Sequence, residues 1–231
     1  MIETEAIILR TVKYRESSVI FDAFTEERGL VSFIIGGVRK ARSRTSAGML
    51  EIGNLVQIIA YPQKGNSLSR VKELHMSQIY RLISLDMQRI AVLSFTIELL
   101  RKCIRESEYD PETYAFAREF LLRLDDSERS PAHMPNQIML KLATHVGISP
   151  SVDVDLPFFD LREGRSVAVE PLHHEVVEAE PLALMIALLQ DKPISTPLAT
   201  RNRLTDLLVR YYQYHIDGFN ELKSLEILRS L

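Results

Sequence analysis

The chain has 231 residues, 46% of them hydrophobic, so it is long enough for one large domain or two small ones with a real core. Its net charge of −3 and isoelectric point near 6.1 exclude a polycation, so affinity for nucleic acid would require a local basic patch. A single cysteine, Cys103, excludes an intramolecular disulfide or a cysteine-rich zinc site and is typical of a reducing cytoplasm.

Two further features indicate a soluble protein. The N-terminus carries acidic residues where a signal peptide would carry basic ones. No segment has the roughly 18 to 20 uninterrupted apolar residues that a membrane-spanning helix needs. We therefore expect a cytoplasmic protein without a membrane segment.

Charge is distributed unevenly along the chain. Residues 1–80 contain 11 Lys and Arg against 8 Asp and Glu, whereas residues 81–231 contain 17 against 23. This asymmetry predicts a basic N-terminal part and an acidic C-terminal part with different functions.

The first 80 residues have the texture of short strands. Apolar and β-branched runs at 4–14, 17–27, 30–37, 54–62 and 67–76 are separated by turn residues such as Gly29 and Gly65. Five short strands in this length favour a small closed or nearly closed barrel, because closure removes exposed sheet edges.

From about residue 83 the apolar period becomes helical. One stripe is formed by Met87, Ile90, Leu93, Ile97, Leu100 and Ile104, and a second helix begins at Asp110 as N-cap with Pro111 behind it. Further helices are predicted within 135–147, 180–190 and 196–215. Residues 150–175 are irregular in pattern, with a short hairpin predicted around Glu163 and Gly164. The architecture predicted is a β-barrel followed by a helical domain.

A basic cluster lies between the third and fourth predicted strands. Arg39, Lys40, Arg42 and Arg44 occur within six positions, and no acidic residue occurs between Arg28 and Leu50. An uncompensated cationic loop on a small barrel favours contact with a phosphate backbone, because bound cations displace counterions. The alternative is a solvated loop that only keeps the domain soluble.

Other residues could extend such a surface. The cations Lys13, Arg15, Lys64, Arg70 and Lys72 lie at or near strand ends, although each alone is typical of a solvated charge. The aromatic residues Phe21, Phe24, Phe33 and Tyr61 lie in strands, where an aromatic side chain is more typical of the core. Phe24 is the best candidate for base stacking, because it faces the opposite side of its strand from Val19 and Phe21.

Enzyme motifs are largely missing from the sequence. There is no phosphate-binding GxxxxGK[ST] loop, no GxGxxG after a strand, no GxSxG and no HExxH. The remaining candidate is a metal-dependent site formed by Asp153, Asp155, Asp160, His173 and His174. The alternative is that these residues belong to a solvated loop without a metal ion.

The sequence resembles the bacterial RecO family of DNA repair and recombination mediator proteins. The resemblance covers the whole chain and rests on EAIILRTVKYRESSVI, FTEERGLVSFIIGGVRKARSR and YHIDGFNELKSLEIL. Its most specific part is Gly37 to Arg44, where Ser43 interrupts the basic run. The segment Tyr14 to Ser18 is similar to the family's Tyr-Gly-Glu-Ser-Asp and departs from it at Arg15 and Ser18.

The resemblance implies an N-terminal OB-fold domain at 1–80 and a helical domain at 81–231 with an irregular insertion near 150–175. It implies a protein without catalytic residues or cofactor that binds single- and double-stranded DNA and anneals complementary strands. With RecR, such a protein helps load RecA onto DNA coated by single-strand-binding protein (SSB). Several relatives have a four-cysteine zinc site, but residues 153–174 contain no cysteine, so no zinc is expected here.

The resemblance also assigns roles to particular residues. The DNA-contacting residues would be Arg39, Lys40, Arg42 and Arg44, with Ser43 between them. Apart from the resemblance, the acidic charge of the helical domain disfavours DNA, so we expect this domain to contact protein partners. Arg201 and Arg203 are candidates for contacting the acidic tail of SSB. Two alternatives remain open: an RNA-binding barrel protein, and a metal-dependent nucleic-acid enzyme that uses residues 153–174.

Overall fold

The computed structural model describes residues 1–38, 46–61, 68–104 and 109–229. These residues form two compact units, Met1–Ser127 and Glu128–Leu231. The first unit contains the barrel and the first two helices, so its boundary lies well after residue 80. The predicted division of the sequence at residue 80 stays a prediction.

The N-terminal barrel consists of five strands. They are β1 (Ile2–Tyr14), β2 (Ser18–Thr25), β3 (Gly29–Ile35), β4 (Leu55–Tyr61) and β5 (Ser69–Met76), and they close in the order β1-β2-β3-β5-β4. The pairing of β3 with β5 is parallel, and the other pairs are antiparallel. The prediction of a closed five-strand, OB-like barrel is confirmed.

Strand alternation fills the barrel interior. Phe21 and Phe33 lie opposite each other on β2 and β3 and stack with ring centroids 5.3 Å apart, within a core of aliphatic side chains from all five strands. Gly29 has φ +64°, which allows the tight turn between β2 and β3. Side chains of the opposite parity point outward, and the candidate site is built on them.

Two helices follow the barrel in the first unit. Helix α1 (Met87–Cys103) begins after Asp86, whose carboxylate accepts hydrogen bonds from the backbone N–H groups of Gln88 and Arg89. Helix α2 (Pro111–Leu124) begins after Asp110, whose side chain accepts from Thr113 N at 2.9 Å. The predicted cap at Asp110 is therefore confirmed.

The buried face of α1 differs from the predicted stripe. Met87 and Ile90 are exposed, whereas Val92, Phe95 and Leu99 are buried. The prediction was wrong in the first turns of the helix. Apolar residues at three- and four-residue spacing identify one apolar face of a helix. Helix α1 has apolar residues on more than one side, and the neighbouring elements decide which side is buried.

The second unit is mainly helical. It contains α3 (Met134–His145), α4 (Ala179–Leu189), α5 (Leu198–His215) and the short α6 (Ser224–Arg229). Between α3 and α4 lies a three-strand sheet of order β7-β6-β8, formed by β6 (Phe158–Asp160), β7 (Arg165–Val167) and β8 (Val176–Glu178). The hairpin of β6 and β7 confirms the prediction around Glu163 and Gly164.

Tyrosine side chains of α5 fix the core of this unit. Tyr212 is fully buried and its hydroxyl donates to Met139 O at 2.7 Å, and Tyr211 donates to Ile148 O at 2.6 Å. Both bonds satisfy carbonyl groups of α3 or of the turn after it. Among the described residues, no helix is both long enough and apolar enough to cross a membrane.

Candidate nucleic-acid interface

The barrel presents outward-facing rows of side chains that run across its strands. The first row contains Ile7, Phe24 and Leu55, which are paired through β1, β2 and β4. A second, largely apolar row is separated from the first by the polar residues Arg10, Asp22 and Ser32. It contains Val12, Ile20, Ile34, Arg70 and Tyr61, which are paired successively through all five strands. We call this second row the outer row. Because paired residues share a face, its five side chains point to the same side.

Helix α2 covers the end of the barrel that carries Phe24. Phe24 is fully buried and packs edge-on against Tyr114, with ring centroids 5.5 Å apart. The prediction of Phe24 as a stacking residue is therefore wrong. The outward orientation of Phe24 was predicted correctly. The helix that covers it, α2, begins only at Pro111. The alternation of residues within a strand contains no information about a contact with such a distant element.

A charged cluster holds α2 on the barrel. Glu5 accepts hydrogen bonds from Arg118 Nε at 2.6 Å, from the Tyr114 hydroxyl at 3.0 Å and from the Ser77 hydroxyl. Burial opposes the charged form, but these hydrogen bonds outweigh it and hold the pKa of Glu5 below its usual value. The same bond to Glu5 raises the pKa of Arg118, so the ion pair is maintained across the ordinary pH range.

The outer row is open, in contrast to the first row. Tyr61 is 47% exposed and Val12 is 42% exposed, while Ile20 and Ile34 are half-buried. Arg70 is exposed in the middle of this apolar series. The row after it on β1 carries Tyr14, which is also exposed, and the neighbouring Arg15 places its guanidinium 5.2 Å from the Tyr14 ring centroid.

The predicted cationic residues differ in their surroundings. Arg15 lies in the turn between β1 and β2 with φ +52°, Lys13 is exposed near the end of β1, and Arg70 belongs to the outer row. Lys72 lies at a bulge of β5, and its ammonium is 3.2 Å from the Glu73 carboxylate. The hydrogen bond from Lys72 lowers the pKa of Glu73, so this lysine is partly neutralised.

Several predicted residues lie outside the described part of the chain. They are Arg39, Lys40, Arg42, Ser43, Arg44 and Lys64. After β3 the chain turns at Gly36 and Gly37, and Gly36 lies next to Ser18. Val38, the last described residue before the basic cluster, is buried in the barrel core.

Sequence reasoning missed Tyr14 and assigned Tyr61 to the core rather than to a base-contacting surface. Tyr14 shares parity with the exposed Arg10 and Val12 on β1, and Tyr61 shares parity with the half-buried Gln57 and Ile59 and follows the inward-facing Ala60. The alternation of apolar residues in LVQIIAY indicates that Tyr61 points away from the barrel interior. Alternation distinguishes only inward-facing from outward-facing side chains. Exposure additionally requires that no helix covers the outside.

In the C-terminal unit, the two predicted partner-binding arginines have different environments. Arg201 donates from Nη1 to Thr196 O at 2.6 Å just before α5, so part of its guanidinium stabilises the start of its own helix. Arg203 is exposed on α5. His133 bonds to the Thr196 hydroxyl at 3.0 Å, and burial together with the charge of Arg201 lowers the pKa of His133.

The carboxylates among the candidate metal residues lie in two separate turns. Asp160 is buried, accepts from the backbone N–H groups of Arg162 and Glu163, and pairs with His173 Nε2 at 3.3 Å. Asp153 accepts from Asp155 N in a separate turn at 3.0 Å. Across the described residues, no three His, Cys, Asp or Glu side chains converge in a way that could hold a metal ion. This geometry does not support the metal-dependent alternative.

Comparison of the sequence with known protein families agrees with this division into a barrel and a helical region. The family models described as Recombination protein O N terminal and C terminal match residues 1–80 and 84–226. The chain belongs to the RecO family.

Full-length relatives agree with this assignment. The chain is similar to the DNA repair protein RecO of Christiangramia forsetii, with 27% identity over 100% of the chain and 99% of the relative. Similarity to the proteins of the same name from Phocaeicola vulgatus and Porphyromonas gingivalis is 25% and 27%, over 98% and 99% of those relatives.

Proposed function

We propose that this protein binds single- and double-stranded DNA through the barrel and anneals complementary strands. The observation that carries the proposal is the uncompensated basic segment, which follows strand β3 of the barrel in the sequence and has no acidic residue between Arg28 and Leu50. Arg39, Lys40, Arg42 and Arg44 are its central phosphate contacts. Ser43, Lys13, Arg15, Lys64, Arg70 and Lys72 are further contacts.

Annealing by such a surface requires no catalytic residue. Two DNA strands repel each other through their phosphates, and cations that contact only phosphates reduce this repulsion. The hydrogen-bonding edges of the bases remain free for pairing, since phosphate contacts carry no sequence information. We therefore propose a binding protein rather than an enzyme, with no cofactor, acting in the cytoplasm.

The acidic C-terminal region is the proposed contact surface for proteins. Residues 81–231 carry a net charge of −6, which disfavours contact with phosphates. We propose that this region meets RecR and the SSB tail and thereby promotes RecA loading on SSB-coated DNA. Arg203 is better placed than Arg201 to pair with an acidic peptide, because Arg201 already donates to Thr196 O.

The first test is a salt series of fluorescence anisotropy with a labelled single-stranded oligonucleotide. Changing Arg39, Lys40, Arg42 and Arg44 together to Ala should lower the affinity and flatten the log–log salt slope by about 3, since each phosphate contact on a single strand contributes about 0.7. Unlabelled RNA and DNA competitors in the same assay distinguish this function from the RNA-binding alternative.

A matched variant removes four exposed cations of the C-terminal unit: Arg162, Arg165, Lys192 and Lys223. The slope should not change in this variant. If the two quadruple variants have equal slopes, the phosphate contacts lie elsewhere and the proposal is wrong. Turnover of DNA that depends on a divalent ion and is lost in Asp155→Ala would instead support the enzyme alternative.

A further inference from the structure

The outer row combines apolar, aromatic and cationic side chains on one open face. Register aligns Val12, Ile20, Ile34, Arg70 and Tyr61 across the five strands. With strands spaced about 4.8 Å apart, the row extends about 19 Å. A solvated sheet face usually carries polar side chains, so three adjacent aliphatic residues, followed by Arg70 and a tyrosine, require an explanation.

Coverage by the protein itself does not provide that explanation within the described residues. The corresponding residues of the first row, Ile7, Phe24 and Leu55, are fully buried. Tyr61 and Val12 in the outer row retain nearly half of their exposure. The two rows therefore differ in what covers them, although both are apolar.

Charge identifies the occupant of the open row. Arg70 lies within it, Arg15 lies one row away, and the segment from Val38 to Ser46 contains four cationic and no acidic residues. The nearest acid on β2, Asp22, is engaged by Arg10 at 3.5 Å and by the Ser32 hydroxyl at 2.6 Å. A ligand with apolar faces and a regular series of negative charges fits this surface, and a single nucleic-acid strand has both properties.

We propose that the outer row contacts unstacked bases, with Tyr61 as the stacking side chain, and that this contact makes the barrel prefer a single strand to a duplex. The inference rests on the proposed DNA binding and deepens it. Cations attract either form of DNA, since both present phosphates. In a duplex the faces of the bases are already stacked on each other, so Tyr61 gains a contact only from a single strand.

The position of Tyr61 suits this role. Tyr61 is the last residue of β4, and it pairs with Arg70 of the neighbouring strand β5. Its ring therefore points outward on the same face as the Arg70 side chain. Arg70 would hold a phosphate next to the base that stacks on Tyr61. The aliphatic row from Ile34 to Val12 continues the apolar floor for neighbouring bases.

The test measures stacking and affinity separately. A thymine oligonucleotide with one 2-aminopurine, moved position by position, reports stacking as fluorescence quenching, while anisotropy reports affinity for the single strand and its duplex. Tyr61→Ala should remove the quenching and weaken single-strand binding about tenfold, because one base stacked on an aromatic ring contributes that much. Duplex affinity and the salt slope should stay unchanged.

Two controls make the result specific. Tyr61→Phe retains the ring and should behave as the natural protein. Tyr214→Ala removes a tyrosine that is also 47% exposed but lies on α5, and it should change neither quenching nor affinity. Thermal unfolding followed by circular dichroism establishes that the variants fold.

The outcomes separate this inference from the function on which it rests. If the natural protein binds neither DNA form, the proposed function fails. If it binds DNA but Tyr61→Ala leaves quenching and single-strand affinity unchanged, the inference is overturned while DNA binding stands. The latter result would leave a protein partner as the occupant of the row.

Discussion

Glu5 links the barrel to α2 through a charged hydrogen-bond cluster. Its carboxylate accepts from Arg118 and from the Tyr114 hydroxyl, whose ring is buried. Replacing Glu5 by Ala leaves the buried hydroxyl without its acceptor, which costs about 1–3 kcal/mol. We expect Glu5→Ala to lower the free energy of unfolding by about 2 kcal/mol, measured by urea denaturation at pH 7.

The contribution of Glu5 should also depend on pH. Because the folded state lowers its pKa below 4.5, the stabilisation is fully present above that value and is lost as the pH falls through the folded-state pKa. The stability difference between the natural protein and Glu5→Gln should therefore shrink at acidic pH. Glu3→Gln, an exposed position on the same strand, is the control. A pH-independent difference would contradict the electrostatic explanation.

Arg70 and Lys72 are two residues apart on β5 but have different surroundings. Arg70 lies in the outer row, whereas Lys72 lies 3.2 Å from the carboxylate of Glu73. We expect Arg70→Ala to flatten the single-strand salt slope by about 0.7 and Lys72→Ala to flatten it less. The same anisotropy assay measures both. A larger effect from Lys72 would place the DNA on the bulge side of β5.

At the scale of elements, the small sheet in the C-terminal unit depends on side-chain packing. Phe159 of β6 is buried and lies 6.0 Å from the Tyr211 ring, and Asp160 joins the turn after β6 to His173. We expect Asp160→Ala to destabilise the protein by about 1–3 kcal/mol, because it leaves two backbone N–H groups and an imidazole without their acceptor.

Two comparisons test this account of the sheet. Asp155→Ala removes an exposed carboxylate from the same segment and should leave the melting temperature unchanged. A chelator such as EDTA should not change it either, since the segment contains no cysteine and its carboxylates bond to turns. A fall in melting temperature with EDTA would indicate a structural metal ion.

The sequence predicted the element types well because they depend on local periodicity. The strands 4–14 and 54–62 were expected and are found at Ile2–Tyr14 and Leu55–Tyr61, since alternation and turn residues act over a few positions. The face of α1 was predicted incorrectly at Met87 and Ile90. Which side of a helix is buried depends on contacts with distant elements, which periodicity does not contain.

The same limit applies to the candidate site. The basic cluster was recognisable from the sequence because uncompensated charge is a local property. Choosing Phe24 as the stacking residue was wrong because α2 covers it. Tyr61 was wrongly assigned to the core because nothing local distinguishes a covered outer face from an open one. Register and coverage together distinguish them.

At the scale of the whole molecule, α1 and α2 belong to the compact unit of the barrel. The first row of the barrel is fully buried, and burial of each such side chain contributes about 1.5–3 kcal/mol. In addition, Asp125 at the end of α2 accepts from the backbone of Arg81, Leu82 and Ile83. These contacts tie the barrel to the two helices.

A fragment of residues 1–127 should therefore fold cooperatively and bind single-stranded DNA, whereas a fragment of residues 1–80 should aggregate or unfold. Circular dichroism and analytical ultracentrifugation distinguish these outcomes. A stable, monomeric 1–80 fragment would show that the barrel does not need the helices for its stability.

The most direct test of the central claim, that DNA lies across the open face of the barrel, is hydrogen–deuterium exchange with and without a single-stranded oligonucleotide. We predict protection in peptides from 10–22, 29–38 and 59–72 and none in 128–229. Protection confined to the C-terminal unit, with the barrel unchanged, would contradict the account.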